Sequence, residues 1–108
     1  MKKVSVIICA YNEEKTVKDV ITSISELKIV DEIIVVNDGS TDRTQKIIED
    51  LKKEIVIRNI HLRKNKGKGY AMAVGVEQAL SDIVLFVDAD LSNLNDEHFC
   101  QLINPLFN

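Results

Sequence analysis

The sequence predicts an α/β domain built on a mostly parallel open sheet with helices on both faces. Apolar, strand-like runs alternate with helix-like segments in the order β-α-β-α-β-α-β-α along 108 residues. The first run, Val4 to Cys9, is almost continuously apolar, as strands buried on both faces of a parallel sheet are. Polar clusters follow the strands, as expected of turns that lead into helices. A chain of this length predicts one domain, residues 1–108.

The first half of the chain predicts two strand–helix units. Apolar residues spaced three or four apart between Glu13 and Leu27 predict a helix, with Asn12 as its N-cap. A second strand is expected over Glu32 to Val36. The polar run from Asn37 to Asp42 predicts a turn, and a helix should follow it to about Lys53.

The second half predicts two further units. A strand with partial polar alternation is expected from Ile55 to Leu62, which suits a position near the sheet edge. A helix rich in alanine and valine should run from Gly69 to Leu80, and an unbroken β-branched strand from Ile83 to Val87. The helix is expected to bury Tyr70, Met72 and Val74 in the core. The last predicted helix presents an apolar face made of Phe99, Leu102, Ile103 and Leu106.

Composition and charge exclude several classes of protein. Fourteen basic and seventeen acidic residues give a net charge of -3, which argues against nucleic acid as a partner. Two cysteines, Cys9 and Cys100, are too few for a disulfide scaffold and are expected to be buried thiols in a reducing compartment. No apolar run is long enough to span a bilayer, and the run after Lys2 and Lys3 is too short for a signal peptide. The sequence therefore predicts a cytoplasmic domain.

Three polar segments follow predicted strands and mark the expected ligand site. In open parallel sheets, ligands bind at the carboxyl ends of the strands, near the point where the strand order reverses. These ends carry Tyr11 and Glu13, Asp38, and the pair Asp88 and Asp90. If the first strand lies between the second and the fourth, Asp38 and Asp88 stand about 9–10 Å apart. That gap suits a nucleoside, with Tyr11 as a flat surface for a base.

The sequence Asp88-Ala89-Asp90 predicts a cation site. Two carboxylates two residues apart on an extended chain project to the same side, and no basic residue lies beside them in sequence. Two unpaired acids repel each other, and a divalent cation such as Mg²⁺ or Mn²⁺ removes that repulsion. The alternative is a solvated acidic turn that caps the next helix.

A basic turn follows the third predicted strand. Arg63, Lys64, Lys66 and Lys68 form either a solvated loop or a phosphate clamp at the start of the next helix. The glycines beside Lys68 do not fit a dinucleotide-binding fingerprint or a P-loop. Among the remaining polar and reactive residues, Asp42 is expected only to cap a helix, Cys9 to be inert, and His61 and His98 lack partners at the spacing of metal ligands.

Four ordered motifs together resemble the family 2 glycosyltransferases of the GT-A fold. They are Val6 to Glu14, Ile34 to Asp42, Asn65 to Gly69, and Phe86 to Asp90. Within that family, the chain looks similar to polyprenyl-phosphate sugar transferases and to glucosyl-3-phosphoglycerate synthases. The resemblance covers almost the whole chain, with Ala10 standing at or near a position where the family usually has proline.

The resemblance implies a sugar donor linked to UDP or GDP and a divalent metal. It assigns the base to Tyr11 and Asp38, and the ribose to Glu13. Asp88 is expected to contact the ribose or the sugar, and Asp90 to bind the metal on the diphosphate. Lys68 or Lys66 is expected to contact the phosphates, and Ala10 and Ala89 are expected to lie along the donor. Asp88 is a second expected metal ligand.

Members of the family carry an acceptor-binding half after the Asp-x-Asp motif, and we expect that half to be absent here. The acceptor, a lipid phosphate or a small molecule, the sugar and the catalytic base therefore stay open. A donor-binding module that needs a partner chain is the alternative to an enzyme. A receiver-like signalling domain fits poorly, because Cys9-Ala10-Tyr11 stands where that design needs acids. Exposed apolar surface predicts a homo-oligomer, and a longer form is expected to associate peripherally with membranes.

Overall fold

The structure is a computed structural model and describes residues 3–90. The elements in chain order are β1 (Val4–Ala10), α1 (Val17–Ser25), β2 (Glu32–Asn37), α2 (Thr44–Leu51), β3 (Arg58–His61), α3 (Lys68–Gln78) and β4 (Ile83–Asp88). The predicted alternation of strands and helices is confirmed over these seven elements. The last predicted helix lies outside the described residues, as do His98 and Cys100.

The four described strands form one parallel sheet in the order β3-β2-β1-β4. Strands β2 and β3 follow one after the other on one side of β1, and β4 lies on its other side. The strand order therefore reverses at β1. The register places Ala10 beside Asn37 and Cys9 beside Asp88. The ends of β2, β1 and β4 are therefore neighbours, as the sequence predicts.

Helices cover both faces of the sheet. One face is covered by α1 and α2, whose apolar residues Ile21 and Ile48 are fully buried against alternate residues of β1 and β2. On the opposite face α3 buries Ala71 against Ile7 and Ile34. Crossovers between parallel strands are right-handed, so the direction of the next strand determines which face the connecting helix covers. The connections from β1 to β2 and from β2 to β3 run in one direction and the connection from β3 to β4 in the other, so α3 lies on the opposite face from α1 and α2.

The prediction that Asn12 caps a helix starting at Glu13 is wrong. Helix α1 begins at Val17, and Asn12 has a left-handed backbone with φ of 53°. Its side-chain Oδ1 instead accepts hydrogen bonds from the N–H groups of Thr41 at 2.8 Å and Asp42 at 3.3 Å. Asparagine tolerates this conformation better than other non-glycine residues, and the contacts across to the second loop hold it there.

Two further predictions need correction. Strand β3 covers only Arg58–His61, because its pairing with β2 begins at Arg58, and Val56 before it is 97% exposed. Tyr70 is 52% exposed and is not a core residue, since α3 faces the sheet with its small residues Ala71 and Gly75. Met72 and Val74 are half-buried. Among the helices of residues 3–90, none combines the length and the apolar character needed to cross a membrane.

Candidate nucleotide-sugar site

A cavity of about 430 Å³ lies at the carboxyl ends of β1, β2 and β4. A larger groove of about 690 Å³ lies elsewhere, beside the amino ends of β2 and β3, and carries none of the predicted site residues. The predicted residues that line the smaller cavity are Ala10, Tyr11, Glu13, Asp38, Lys68, Asp88, Ala89 and Asp90. The fold therefore brings together eight of the nine predicted site residues, in a space large enough for a small ligand.

Asp38 is buried at the floor of this cavity and holds the basic turn. It is 3% exposed, and its carboxylate accepts hydrogen bonds from the N–H of Lys66 at 2.7 Å and of Gly67 at 3.0 Å. The side-chain amide of Asn65 donates a third bond at 3.0 Å. These three donors satisfy the negative charge of Asp38 without a cation.

Gly39 brings the same turn close to the end of β2. Its φ is +69°, and a Cβ atom there would overlap the backbone of Lys64 and Asn65. Glycine is needed at this position for both the backbone conformation and the close approach. Together, Asp38 and Gly39 fix the path of the chain from Lys64 to Gly67, which leads directly into α3.

Lys68, the first residue of α3, forms an ion pair with Asp88 at the end of β4. The prediction of two unpaired acids in Asp88 and Asp90 is therefore wrong for Asp88. The hydrogen bond and the negative charge of Asp88 raise the pKa of Lys68 above its ordinary value. Both side chains remain about half exposed, so the pair borders the cavity rather than the core.

Lys66 does not line the cavity. Its ammonium lies 6.0 Å from the ring centre of Tyr70. Its main-chain N–H donates the hydrogen bond to the Asp38 carboxylate that is described above. Of the two lysines predicted to approach phosphates, the structure thus places only Lys68 at the cavity.

Cys9 lines the cavity and is half-buried rather than fully buried. Burial raises the pKa of the Cys9 thiol to about 11; the charge of Lys68 works against this shift, while Asp88 contributes to it. At neutral pH the side chain is therefore a neutral thiol, which agrees with the prediction of an inert cysteine.

Hydrogen bonds tie the loop after β1 to the loop after β2. The N–H of Asn12 donates to Ser40 Oγ at 2.9 Å, and the N–H of Glu13 donates to Thr44 Oγ1 at 2.9 Å. The N-cap of α2 is Arg43 and not the predicted Asp42, which precedes it; Asp42 accepts from the N–H of Thr44 at 2.9 Å and also from the N–H of Glu14 at 3.3 Å. These contacts fix Tyr11 and Glu13 relative to β2.

A second buried polar residue, Asn37, connects the cavity floor to His61. Asn37 is 1% exposed, and its Nδ2 lies 3.0 Å from Nδ1 of His61. His61 Nε2 lies 2.7 Å from Oε1 of Glu49. This cluster supports the edge of β2 and does not line the cavity. Nothing in the sequence spacing pointed to it, because its members come from three separate elements.

The donor set of Asp88 and Asp90 suits a hard divalent cation. Both offer carboxylate oxygens, the ligands that Mg²⁺ and Mn²⁺ prefer. Within residues 3–90, no group of three or more His, Cys, Asp or Glu side chains could hold a metal ion by itself. A cation bound here would need further oxygen ligands from water or from a bound diphosphate.

Comparison with known proteins decides the family. The profile described as "Glycosyl transferase family 2" matches residues 5–108. The chain belongs to this family. The resemblance of its four motifs is thereby confirmed, and the receiver-like alternative is excluded.

Curated relatives of this family 2 chain include bacterial polysaccharide synthases. The chain is 40% identical over 88 residues to poly-beta-1,6-N-acetyl-D-glucosamine synthase of Staphylococcus epidermidis, which covers 81% of the chain and 21% of that protein. It is 34% identical over 91 residues to the synthase of the same name from Staphylococcus aureus. The chain thus spans about a fifth of the length of the curated relatives it matches.

Solved structures of family 2 proteins have the same fold. Glucosyl-3-phosphoglycerate synthase of Mycobacterium tuberculosis in complex with UDP superposes with a TM-score of 0.84 at 34% identity, covering 99% of this chain and 40% of that one. A fragment of S. aureus TarS in complex with UDP-GlcNAc gives a TM-score of 0.80 at 32% identity, covering 95% and 31%. The GT-A fold is confirmed, as is the predicted likeness to glucosyl-3-phosphoglycerate synthases. The likeness to polyprenyl-phosphate sugar transferases stays a prediction.

Proposed function

We propose that this chain binds a UDP-linked sugar together with Mg²⁺ or Mn²⁺ and forms the donor site of a glycosyltransferase. The observation that carries the proposal is the single cavity shared by Asp38, Asp88 and Asp90, with a lysine at its border. Related structures hold UDP, UDP-GlcNAc, or Mn²⁺ with UDP and phosphoglyceric acid, which favours UDP over GDP. The acceptor, whether a lipid phosphate or a small molecule, stays open.

Each of the eight predicted residues that line the cavity has a role in this proposal. The exposed ring of Tyr11 stacks on the base, and Asp38 and Glu13 border the base and ribose. Asp90 and Asp88 hold the cation, Lys68 approaches the phosphates, and Ala10 and Ala89 leave room for the donor backbone. Because Lys68 pairs with Asp88, donor binding requires the ammonium to exchange a carboxylate for a phosphate.

Sugar transfer breaks the bond between the anomeric carbon and a phosphate oxygen, and the bonding electrons leave with the diphosphate. A bound divalent cation stabilises that negative charge as a Lewis acid. Lys68 supplies a positive charge for the same purpose. Among residues 3–90 we assign no catalytic base, so this proposal is for donor binding. The proposed setting is the cytoplasm, where reducing conditions keep Cys9 a thiol, and a peripheral membrane location is proposed for longer forms.

Isothermal titration calorimetry tests the proposal directly. UDP is titrated into the chain with and without Mn²⁺, and GDP serves as the comparison nucleotide. We expect UDP to bind more tightly with Mn²⁺, and Asp90→Ala to remove most of that gain. Asp82→Asn is the matched control, since this exposed acid lies outside the cavity. No heat with either nucleotide, or heat unchanged by Asp90→Ala, would refute the proposal.

A further inference from the structure

The two peptide groups of Ala89 are held by hydrogen bonds to β1 on one side and to Thr16, the residue before α1, on the other. Ala89 is 1% exposed, and its N–H donates to the carbonyl of Cys9 at 3.3 Å. Its carbonyl accepts a hydrogen bond from the hydroxyl of Thr16 at 2.7 Å. Because Ala89 stands between Asp88 and Asp90, these two bonds set the main chain from which both carboxylates project.

The pairing of β4 with β1 ends at Asp88. The N–H of the next residue, Ala89, still bonds to Cys9 of β1, whereas the Ala89 carbonyl takes its hydrogen bond from Thr16, and Asp90 beyond it is exposed. The bond from Thr16 spans 73 positions in sequence and acts where the ladder stops. This bond restrains the peptide group that follows Ala89, as the backbone hydrogen bonds to β1 restrain the residues before it.

Thr16 is placed for this contact by its own local structure. It precedes α1, and its N–H donates to the carbonyl of Glu13 at 3.2 Å. Its hydroxyl also lies 3.3 Å from Oε2 of Glu13. A hydroxyl has one proton, so the shorter distance assigns that proton to Ala89.

We propose that Thr16 is a positioning residue for the cation-binding carboxylates of Asp88 and Asp90. This inference rests on the proposed function, because it concerns the same cation. Thr16 does not touch the donor; it fixes the Ala89 carbonyl and thereby the direction of the Asp90 side chain. Without the hydroxyl, the peptide between Ala89 and Asp90 loses this restraint, and the Asp90 carboxylate is no longer held in one direction relative to Asp88.

The test compares Thr16→Val, which keeps the shape and removes the hydroxyl, with Thr16→Ser, which keeps the hydroxyl. UDP binding is measured by calorimetry on the full chain at saturating Mn²⁺ and again without metal. We expect Thr16→Val to weaken UDP binding with Mn²⁺ about tenfold, the effect of one lost hydrogen bond. Thr16→Ser should stay within about twofold of the parent chain. Without metal, both variants should bind UDP as the parent chain does.

Thr22→Val on α1 is the matched control, since Thr22 is half-buried and lies outside the cavity. Thermal unfolding of every variant checks that it folds, and Thr16→Ala replaces Thr16→Val if the latter does not. If the parent chain binds no UDP, the proposed function fails. If the parent chain binds UDP and Thr16→Val binds it equally with Mn²⁺, this inference fails. An equal loss with and without metal, or a loss that serine does not rescue, also overturns it.

Discussion

At the carboxyl end of β2, Asp38 accepts three hydrogen bonds from the basic turn while its carboxylate borders the cavity. The sequence predicts only the second of these roles, as a contact to the base. The structure shows that the same carboxylate determines where the turn lies. A change at Asp38 should therefore affect stability even when no nucleotide is present.

We expect Asp38→Asn to lower the free energy of unfolding by about 1–3 kcal/mol, because an amide would turn one donor toward the N–H groups of Lys66 or Gly67. Urea denaturation followed by circular dichroism measures the change. Asp82→Asn, an exposed acid, should leave the midpoint unchanged. Equal midpoints for the parent chain and Asp38→Asn would show that the turn does not depend on this carboxylate.

Cys9 allows a measurement of the cavity itself. Because burial raises the pKa of its thiol to about 11, the reactive thiolate is scarce at pH 8. In a Cys100→Ser background, we expect iodoacetamide to react with Cys9 about a hundredfold more slowly than with a free cysteine. The rate should rise with pH up to about 11, because the raised pKa delays thiolate formation. Reaction at the rate of free cysteine would contradict the half-buried placement.

At the scale of single elements, α3 shows how small residues determine a packing distance. Gly75 faces Ile7 of β1, and a Cβ atom at Gly75 would lie 2.5 Å from the Cγ2 atom of that buried side chain. Gly69, at the start of the same helix, has open space around it. The two glycines therefore separate the effect of packing from the effect of helix propensity.

Gly75→Ala should lower the free energy of unfolding by about 1–3 kcal/mol, since overpacking against a fully buried isoleucine outweighs the better helix propensity of alanine. Gly69→Ala is the matched control, and we expect it to stabilise the chain by up to about 1 kcal/mol. Both changes are measured by urea denaturation. Stabilisation of similar size by both alanines would mean that α3 does not approach β1 closely.

At the scale of the whole molecule, the sheet presents apolar side chains beside α3. Phe86 of β4 is 44% exposed and, by its register with Ile7, lies on the face that α3 covers over β1 and β2. Val76 of α3 and Leu80, which follows α3, are 46% and 78% exposed. Apolar surface of this kind favours association, in line with the predicted homo-oligomer.

We expect the chain to self-associate reversibly as its concentration rises, and the double variant Phe86→Ser, Leu80→Ser to do so less. Sedimentation equilibrium across a concentration series measures the average mass. Val56→Ser is the matched control, because Val56 is more exposed than either residue but lies near the other end of the sheet. A parent chain that stays monomeric throughout, or a double variant that associates as strongly, would contradict this prediction.

The sequence by itself was sufficient to place three of the four described strands, the approximate positions of the three described helices and the residues at the strand ends. Apolar runs and their spacing reflect which side chains a parallel sheet must bury, so β1, β2 and β4 were predicted nearly to their bounds. The motifs also carried the family, which the profile over residues 5–108 confirms. Helix starts were predicted less well, because Asn12 bonds to a distant loop instead of capping α1.

Only the tertiary structure decided how the site is held together. The pairing of Lys68 with Asp88, the turn bound to Asp38, and the bond from Thr16 to Ala89 each join residues of different elements. Local sequence does not encode such contacts, because they arise only once the strand order and the crossovers bring the β-strand ends to one edge. The residue types at the site were thus readable from the sequence, whereas their partners depended on the folded sheet.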